Sequence, residues 1–261
     1  MSGKQREGFT TGSAAAAATK AALLYLGGES VPEKVDIPLA MEGRIQIPVY
    51  EVKNCATGAT ATVVKDAGDD PDVTHQAHIR ASISLHKEQD RAEMDIRGGQ
   101  GVGVVTQPGL PVEIGKAAIN PEPKKQIKNT IQETLDLLGL DLGVSVSVSI
   151  KNGEDLAKKT MNPRLGIKGG VSILGTRGTV RPYSRSSYRA TITSGLDVAR
   201  ACGLQEIALS TGGRSEGMLK QYLPFLPEAG FVLVADFFEF SLEQCREKGF
   251  QHVYYGCFFG K

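Results

Sequence analysis

GVSVSVSI, residues 143–150, is the stretch on which the fold turns. Val144, Val146, Val148 and Ile150 alternate with serines, a period of two that predicts a strand with one apolar and one polar face. Such a strand suits an antiparallel sheet, where one face meets the core and the other can meet water. Toward the N-terminus, Asn120-Pro121 predicts a helix start, with Asn as cap and Pro in the first turn. Ile127, Ile131, Leu135 and Leu138 then form an apolar stripe that Gly139 closes. IRASISLH (79–86) alternates Ile79, Ala81, Ile83 and Leu85, AEMDIRGG (92–99) follows a charged turn, and the two predict a hairpin. ATATVVKD (59–66) predicts another strand. Val35, Ile37 and Leu39, a turn at Glu42-Gly43, and Ile45, Ile47 and Val49 predict a further hairpin. In FTTGSAAAAATKAALLYLGG (9–28), Thr10, Thr11 or Ser13 can cap, Ala14 to Leu26 is strongly helical, and Gly27-Gly28 ends the helix.

Toward the C-terminus the pattern changes. A helix around 184–202 leads to the strand EIALST (206–211), the loop GGRS (212–215) and a helix to about Tyr222. FVLVADF (231–237) reads as strand, SLEQCREKG (241–249) as helix and HVYYGCF (252–258) as strand. Strands alternating with helices predict a parallel sheet with crossovers. The expected fold is an α+β N-terminal domain with antiparallel strands, residues 1–190. A smaller α/β, Rossmann-like βαβαβ domain follows over 191–261, with the boundary inside 185–195.

Composition narrows the function classes. The 261 residues are 41% hydrophobic and 23% charged, enough for a packed core. A net charge of +1 gives no global argument for a nucleic-acid or membrane partner. The 31 glycines, well above average usage, point to tight turns and backbone-lined sites. Cys55, Cys202, Cys245 and Cys257 form no CxxC pair and no zinc-ligand spacing, so they read as reduced thiols of a cytoplasmic protein. Lys4 and Arg6 before the Ala-rich run mimic a signal peptide, but Glu7 and Lys20 interrupt it, and the segment reads as a helix of the mature fold. No apolar run approaches the ~18 residues of a membrane span.

Three stretches carry candidate chemistry. From Leu156 to Leu196 there is no Asp or Glu, but eight cations: Lys158, Lys159, Arg164, Lys168, Arg177, Arg181, Arg185 and Arg189. The glycines among them can frame a multivalent anion, whether polycarboxylate, polyphosphate or nucleic acid. The plainer reading is a solvated basic face. Only Tyr183 and Tyr188 are aromatic here, which weighs against single-strand stacking. LSTGGRSEG (209–217) follows a strand and opens a helix, so Thr211, Gly212, Gly213 and Ser215 can meet a ligand's polar end. Asp236, ending the next strand, can hold ribose hydroxyls, and a nucleoside cofactor fits; a structural turn capped by Ser215 fits nearly as well. VVKDAGDDPDVTHQAHI (63–79) gathers Asp66, Asp69, Asp70, Asp72, His75 and His78 without the spacing of a calcium loop. It is a metal site, which the spacing favours least, a turn, a catalytic carboxylate or a polar contact to substrate. Gly99, Gly101 and Gly103 do not complete a dinucleotide fingerprint, and neither a Walker pattern nor a G-x-S-x-G elbow occurs.

FTTGSAAAAATKAA, VVKDAGDDPDVTH, GGQGVGVVTQPGL, AAINPEPKKQI, LAKKTMNPRLGIKGGVSILGT and TGGRSE occur in this order. Together they resemble the cobalt-precorrin-5B (C1)-methyltransferase family of anaerobic cobalamin biosynthesis, over about residues 6 to 261. The resemblance implies methyl transfer from S-adenosylmethionine to ring carbon C1 of a cobalt-containing tetrapyrrole. Cobalt would arrive with that substrate, so no protein-bound metal is expected. The reading that follows sets Asp66, Asp69, Asp70 and His75 at the macrocycle as catalytic candidates, His75 as an axial ligand to cobalt. Thr10, Thr11, Lys65, Arg164, Lys168, Arg177 and Arg181 become candidate substrate contacts. Thr211, Gly212, Gly213, Ser215 and Asp236 become candidate cofactor contacts, by geometry and not from the family. The expected partner is the small-molecule tetrapyrrole, with neither nucleic acid nor membrane; a homo-oligomer stays open. Family members continue past Gly260-Lys261 into Lys-Leu-Ala and Thr-His-Ser segments, so a truncated C-terminal domain is expected.

Overall fold

The computed structural model describes residues 5–86 and 94–258. The chain divides discontinuously into two compact units. Unit 1 takes Met1–Val104, Lys116–Asn162 and Lys168–Tyr183; unit 2 takes Val105–Gly115, Pro163–Ile167 and Ser184–Lys261. A single cut at 190 does not describe this, because a linear reading has no signal for two short excursions.

Unit 1 begins with β1 (Gly8–Phe9), α1 (Thr11–Leu26), β2 (Lys34–Pro38), β3 (Arg44–Pro48), β4 (Glu51–Cys55), β5 (Gly58–Val64), β6 (His78–His86) and β7 (Met94–Gly98). Strand β8 (Val104–Val105) marks the chain's first passage between units. Then come α2 (Pro121–Leu138), β9 (Gly143–Ile150), α3 (Gly153–Ala157), β10 (Ile167–Lys168) at a later passage, and β11 (Thr179–Val180). GVSVSVSI is β9, inside a five-stranded sheet of order β4-β5-β6-β9-β7. It runs antiparallel to β6, Val144 opposite Leu85 and Ile150 opposite Ile79, and its four apolar side chains are buried. Its other edge pairs with β7 in parallel, Val144 opposite Met94.

The hairpin expected between 79–86 and 92–99 is therefore not formed, because β9 lies between the two strands. Strand β9 offers a complete apolar face and takes the interior, whereas β7 buries only Ile96 and suits an edge. The intervening turn at 87–91 and residues 92 and 93 lie outside the described residues. The β2–β3 hairpin forms as expected, with Val35 opposite Ile47 and Ile37 opposite Ile45.

Helix α1 packs between α2 on one side and β5 and β6 on the other. Enclosure explains its composition: Ala14 to Ala18, Ala21 and Ala22 are all fully buried, and only small side chains allow neighbours this close. Thr10 caps α1, its hydroxyl accepting from the Ser13 N–H, and Gly27 ends it. Pro121 opens α2 behind Asn120, whose side chain makes no capping bond, and Gly139 closes it in the left-handed region at φ 63°.

Unit 2 holds α4 (Arg185–Ala201), β12 (Glu206–Ser210), α5 (Gly213–Tyr222), β13 (Phe231–Leu233), α6 (Phe238–Glu247) and β14 (His252–Gly256). The three strands form a parallel sheet of order β13-β12-β14. Ile192, Leu196, Ile207, Leu209, Val232 and Cys245 form one core with α4 and α6; Ala208, Leu223, Leu226 and Phe231 form another with α5. GGRS is not a loop: Gly213 is already helical. Strand β13 stops at Leu233, short of the expected Phe237, and Ala235 just beyond it takes φ 47°, which breaks the extended run. The two excursions bind each other through Thr106, whose N–H and hydroxyl both donate to the Gly166 carbonyl at 2.8 and 2.7 Å. Among the described residues no helix is long and apolar enough to cross a membrane.

Candidate functional site

Three segments distant in sequence meet in unit 1: the N-terminal arm, the loop between β5 and β6, and the loop around β11. Strand β1 pairs antiparallel with β11, and Glu7 bridges to Gly68. Backbone bonds run from Phe9 N–H to the Asp66 carbonyl (2.8 Å), from Asp69 N–H to the Arg6 carbonyl (3.0 Å) and from Thr10 N–H to the Gly178 carbonyl (3.0 Å). Gly8 permits this approach, since a Cβ there would lie 2.2 Å from the Ala67 carbonyl carbon.

The acids of the loop hold these segments together. Asp66 accepts from both terminal nitrogens of Arg6 and from the Gly68 N–H. The Arg6 hydrogen bond outweighs burial and lowers the Asp66 pKa. Asp69 accepts from the Arg6 N–H at 2.7 Å, and Asp70 from the Tyr183 N–H at 2.9 Å. His75 Nδ1 accepts from the Ala67 N–H at 3.1 Å and lies 3.8 Å from Asp66 Oδ1. The first contact uses the Nδ1 lone pair, and Nε2 lies 3.4 Å from the Gln76 side-chain amide nitrogen.

Other expected contacts also have structural partners. The Thr11 hydroxyl lies within hydrogen-bond distance of the Ser172 and Leu174 carbonyls and accepts from the Leu174 N–H. Thr10 is spent on its cap. Lys65 is buried to 1% exposure and reaches Asp72 at 2.7 Å, and Asp72 also accepts from the Thr74 N–H and hydroxyl. Burial opposes Asp72 ionisation, but the Lys65 charge and these bonds overcome it and lower its pKa. The Lys65–Asp72 pair is the feature sequence reasoning missed. Its signal was a lysine directly behind the buried strand residues of ATATVV. Arg181 pairs with Glu7 at 3.0 Å, while Lys168 and Arg177 are exposed without an acidic partner among the described residues.

In unit 2 the predicted turn joins β12 to α5. Ser215 is buried; its hydroxyl donates to the Gly212 carbonyl at 2.9 Å, accepts from the Gly212 N–H at 3.2 Å and lies 3.3 Å from the Thr211 hydroxyl. Gly212 and Gly213 face open space, with no atom within 4 Å of a built Cβ. Buried Glu216, in the first turn of α5, is held by Arg164 at 2.5 Å and Lys220 at 3.2 Å. Arg164 is thus committed inside unit 2. Asp236 is exposed, 3.7 Å from Arg185. Burial, and then the Asp236 charge, raise the Tyr188 phenol pKa. Among the described residues no group of three or more His, Cys, Asp or Glu can hold a metal ion.

Residues 1–182 match the family model described as CbiD. Curated relatives named cobalt-precorrin-5B C(1)-methyltransferase include one from Nitratidesulfovibrio vulgaris (strain Hildenborough), 47% identical over 98% of this chain and 67% of its own. Another, from Geobacillus kaustophilus, is 49% identical over 95% of this chain and 66% of its own. A third, from Thermus thermophilus, is 48% identical over 95% and 65%. The chain spans about two thirds of the length of the curated relatives it matches. The crystal structure of a cobalamin biosynthesis protein (cbiD) from Archaeoglobus fulgidus aligns with a TM-score of 0.55 at 26% identity, covering 97% of this chain and 87% of that one. That likeness shows a shared mixed α/β fold with antiparallel strands.

Proposed function

The chain belongs to the CbiD family, and we propose that it transfers the methyl group of S-adenosylmethionine to C1 of cobalt-precorrin-5B in cobalamin biosynthesis. The observation that carries this reading is identity of 47–49% to methyltransferases of that name across 95–98% of the chain. The electron pair of ring carbon C1 forms the new C–C bond as the C–S pair returns to sulfur, leaving S-adenosylhomocysteine.

The residues present suit both reactants. Unit 2 is read as a Rossmann-like nucleoside unit. Its order β13-β12-β14 reverses direction at β12, and ligands of such sheets bind beyond the carboxyl ends of the strands at the reversal. Gly212 and Gly213 leave room for close backbone approach at the N-terminus of α5, and exposed Asp236, 3.7 Å from Arg185, can meet ribose hydroxyls. In unit 1, Lys168 and Arg177 are exposed cations for the carboxylates of a macrocycle, and Asp69 and Asp70 bond to the N-terminal arm and to Tyr183. The enzyme's task is alignment of the reacting carbon with the sulfonium and exclusion of water, with no covalent nucleophile. Four free thiols agree with a reducing cytoplasm.

The test is calorimetric titration of S-adenosylhomocysteine into the wild-type chain and Gly213→Val. Gly213 has no left-handed φ and faces open space, so valine is compatible with folding while blocking the ligand's approach. The expected weakening is about tenfold or more, roughly 1.4 kcal/mol. Equal affinity in the two proteins removes the cofactor from this turn. Corrinoid binding without methyl transfer points to a carrier instead.

A further inference from the structure

We infer that Arg185 and Arg189 form a carboxylate clamp on unit 2 that grips the acidic side chains of the macrocyclic substrate; this rests on the methyltransferase reading. Both arginines stand at the start of α4, whose first turn contains no acid. A helix N-terminus already carries partial positive charge and favours acids, so two guanidiniums there add to a positive potential.

Their side chains are set in place without being consumed. Arg185 lies 4.7 Å above the Phe237 ring, and Arg189 lies 5.7 Å from Phe237 and 5.0 Å from Phe240. Tyr188 stacks on Phe237 at 5.3 Å and 15°, which backs the shelf. A guanidinium resting on an aromatic face keeps its N–H edge free for bidentate carboxylate binding. Among the described residues Asp236 is the acid that pairs with this shelf, 3.7 Å from Arg185 and beyond hydrogen-bond distance, and both side chains are about 70% exposed. Arg189 has no acidic partner among the described residues. Three other cations of the same basic segment are paired closely: Lys158, Arg164 and Arg181 sit within 3.0 Å of Asp155, Glu216 and Glu7. Two preorganised forks against one loosely held acid favour a ligand with several carboxylates over an amino acid's adjoining ammonium and carboxylate.

The test uses the 261-residue chain, Arg185→Gln/Arg189→Gln and Arg185→Lys/Arg189→Lys, with circular dichroism melts to confirm folding. The probes are cobyrinic acid, a cobalt corrinoid with free peripheral carboxylates, its methyl ester, and S-adenosylhomocysteine. The glutamine variant should bind the acid about tenfold or more weakly, the ester and S-adenosylhomocysteine unchanged, with partial recovery by lysine. Equal affinity of wild type and variant for the acid overturns the clamp, as does an equal loss for acid and ester. A loss confined to S-adenosylhomocysteine reassigns the carboxylate to the methyl donor and overturns the macrocycle assignment. Wild type that binds neither corrinoid nor S-adenosylhomocysteine overturns the methyltransferase reading and the clamp with it.

Discussion

Lys65→Ala should destabilise unit 1 by about 3–5 kcal/mol, because it strands Asp72 in a mostly buried position without its cation. Arg44→Ala, which removes exposed pairs with Asp36 and Glu133, should change stability by about 1 kcal/mol or less. Urea unfolding of both variants checks the contrast, and similar losses would show that Lys65–Asp72 behaves as a surface pair. Acid acts on the same loop. Folded Asp66 and Asp72 both have lowered pKa values, so their contribution is complete above the ordinary Asp pKa of about 3.9 and disappears as pH falls through the folded values. Melting temperature should hold level from neutral pH to about 5, then drop below about 4, with a shallower drop in Asp66→Asn. The acids themselves were legible as a cluster. Their partners were not, since the backbone N–H groups of Arg6 and Tyr183 leave no mark on residue type.

Helix α1 is the element with the least tolerance for added volume. Ala16→Leu should cost about 1–3 kcal/mol through overpacking, since sheet and α2 enclose it on opposite sides; a neutral result in urea unfolding would mean that α2 can retreat. Periodicity made most elements readable: β2, β3, β5, β6 and β9 and helices α1, α2 and α4 stand close to their expected ranges. Pairing was less readable, because alternation tells a strand which side is apolar and says nothing about which edge it meets. That is why β7 was assigned to β6 when the Val/Ser strand from much later in the chain occupies that edge. The first turn of α5 was misread for a different reason. Gly212-Gly213 looks like loop by composition, but the Ser215 hydroxyl closes the turn and lets the helix begin at Gly213.

At the level of the whole chain, the change from antiparallel strands to alternating strand and helix was legible, and the parallel sheet of unit 2 follows it. The candidate site was legible in part. The three loops of unit 1 were flagged separately, yet only the fold reveals that the N-terminal arm, the acidic loop and β11 are one assembly. The basic segment was legible as charge, whereas the division into paired and shelf-mounted arginines depends on partners far away in sequence. The excursion 105–115 has a consequence for biosynthesis. A ribosome releases chain at roughly 5–20 residues per second, N-terminus first. The backbone of Gly109 rests against Asp197 and Val198, so this segment emerges long before its seat exists. It must wait as unpacked chain while unit 1 matures around the strands on either side of it. Nascent molecules stalled within that interval should present Val105–Gly115 to proteases and holdase chaperones, and release of α4 should end the exposure.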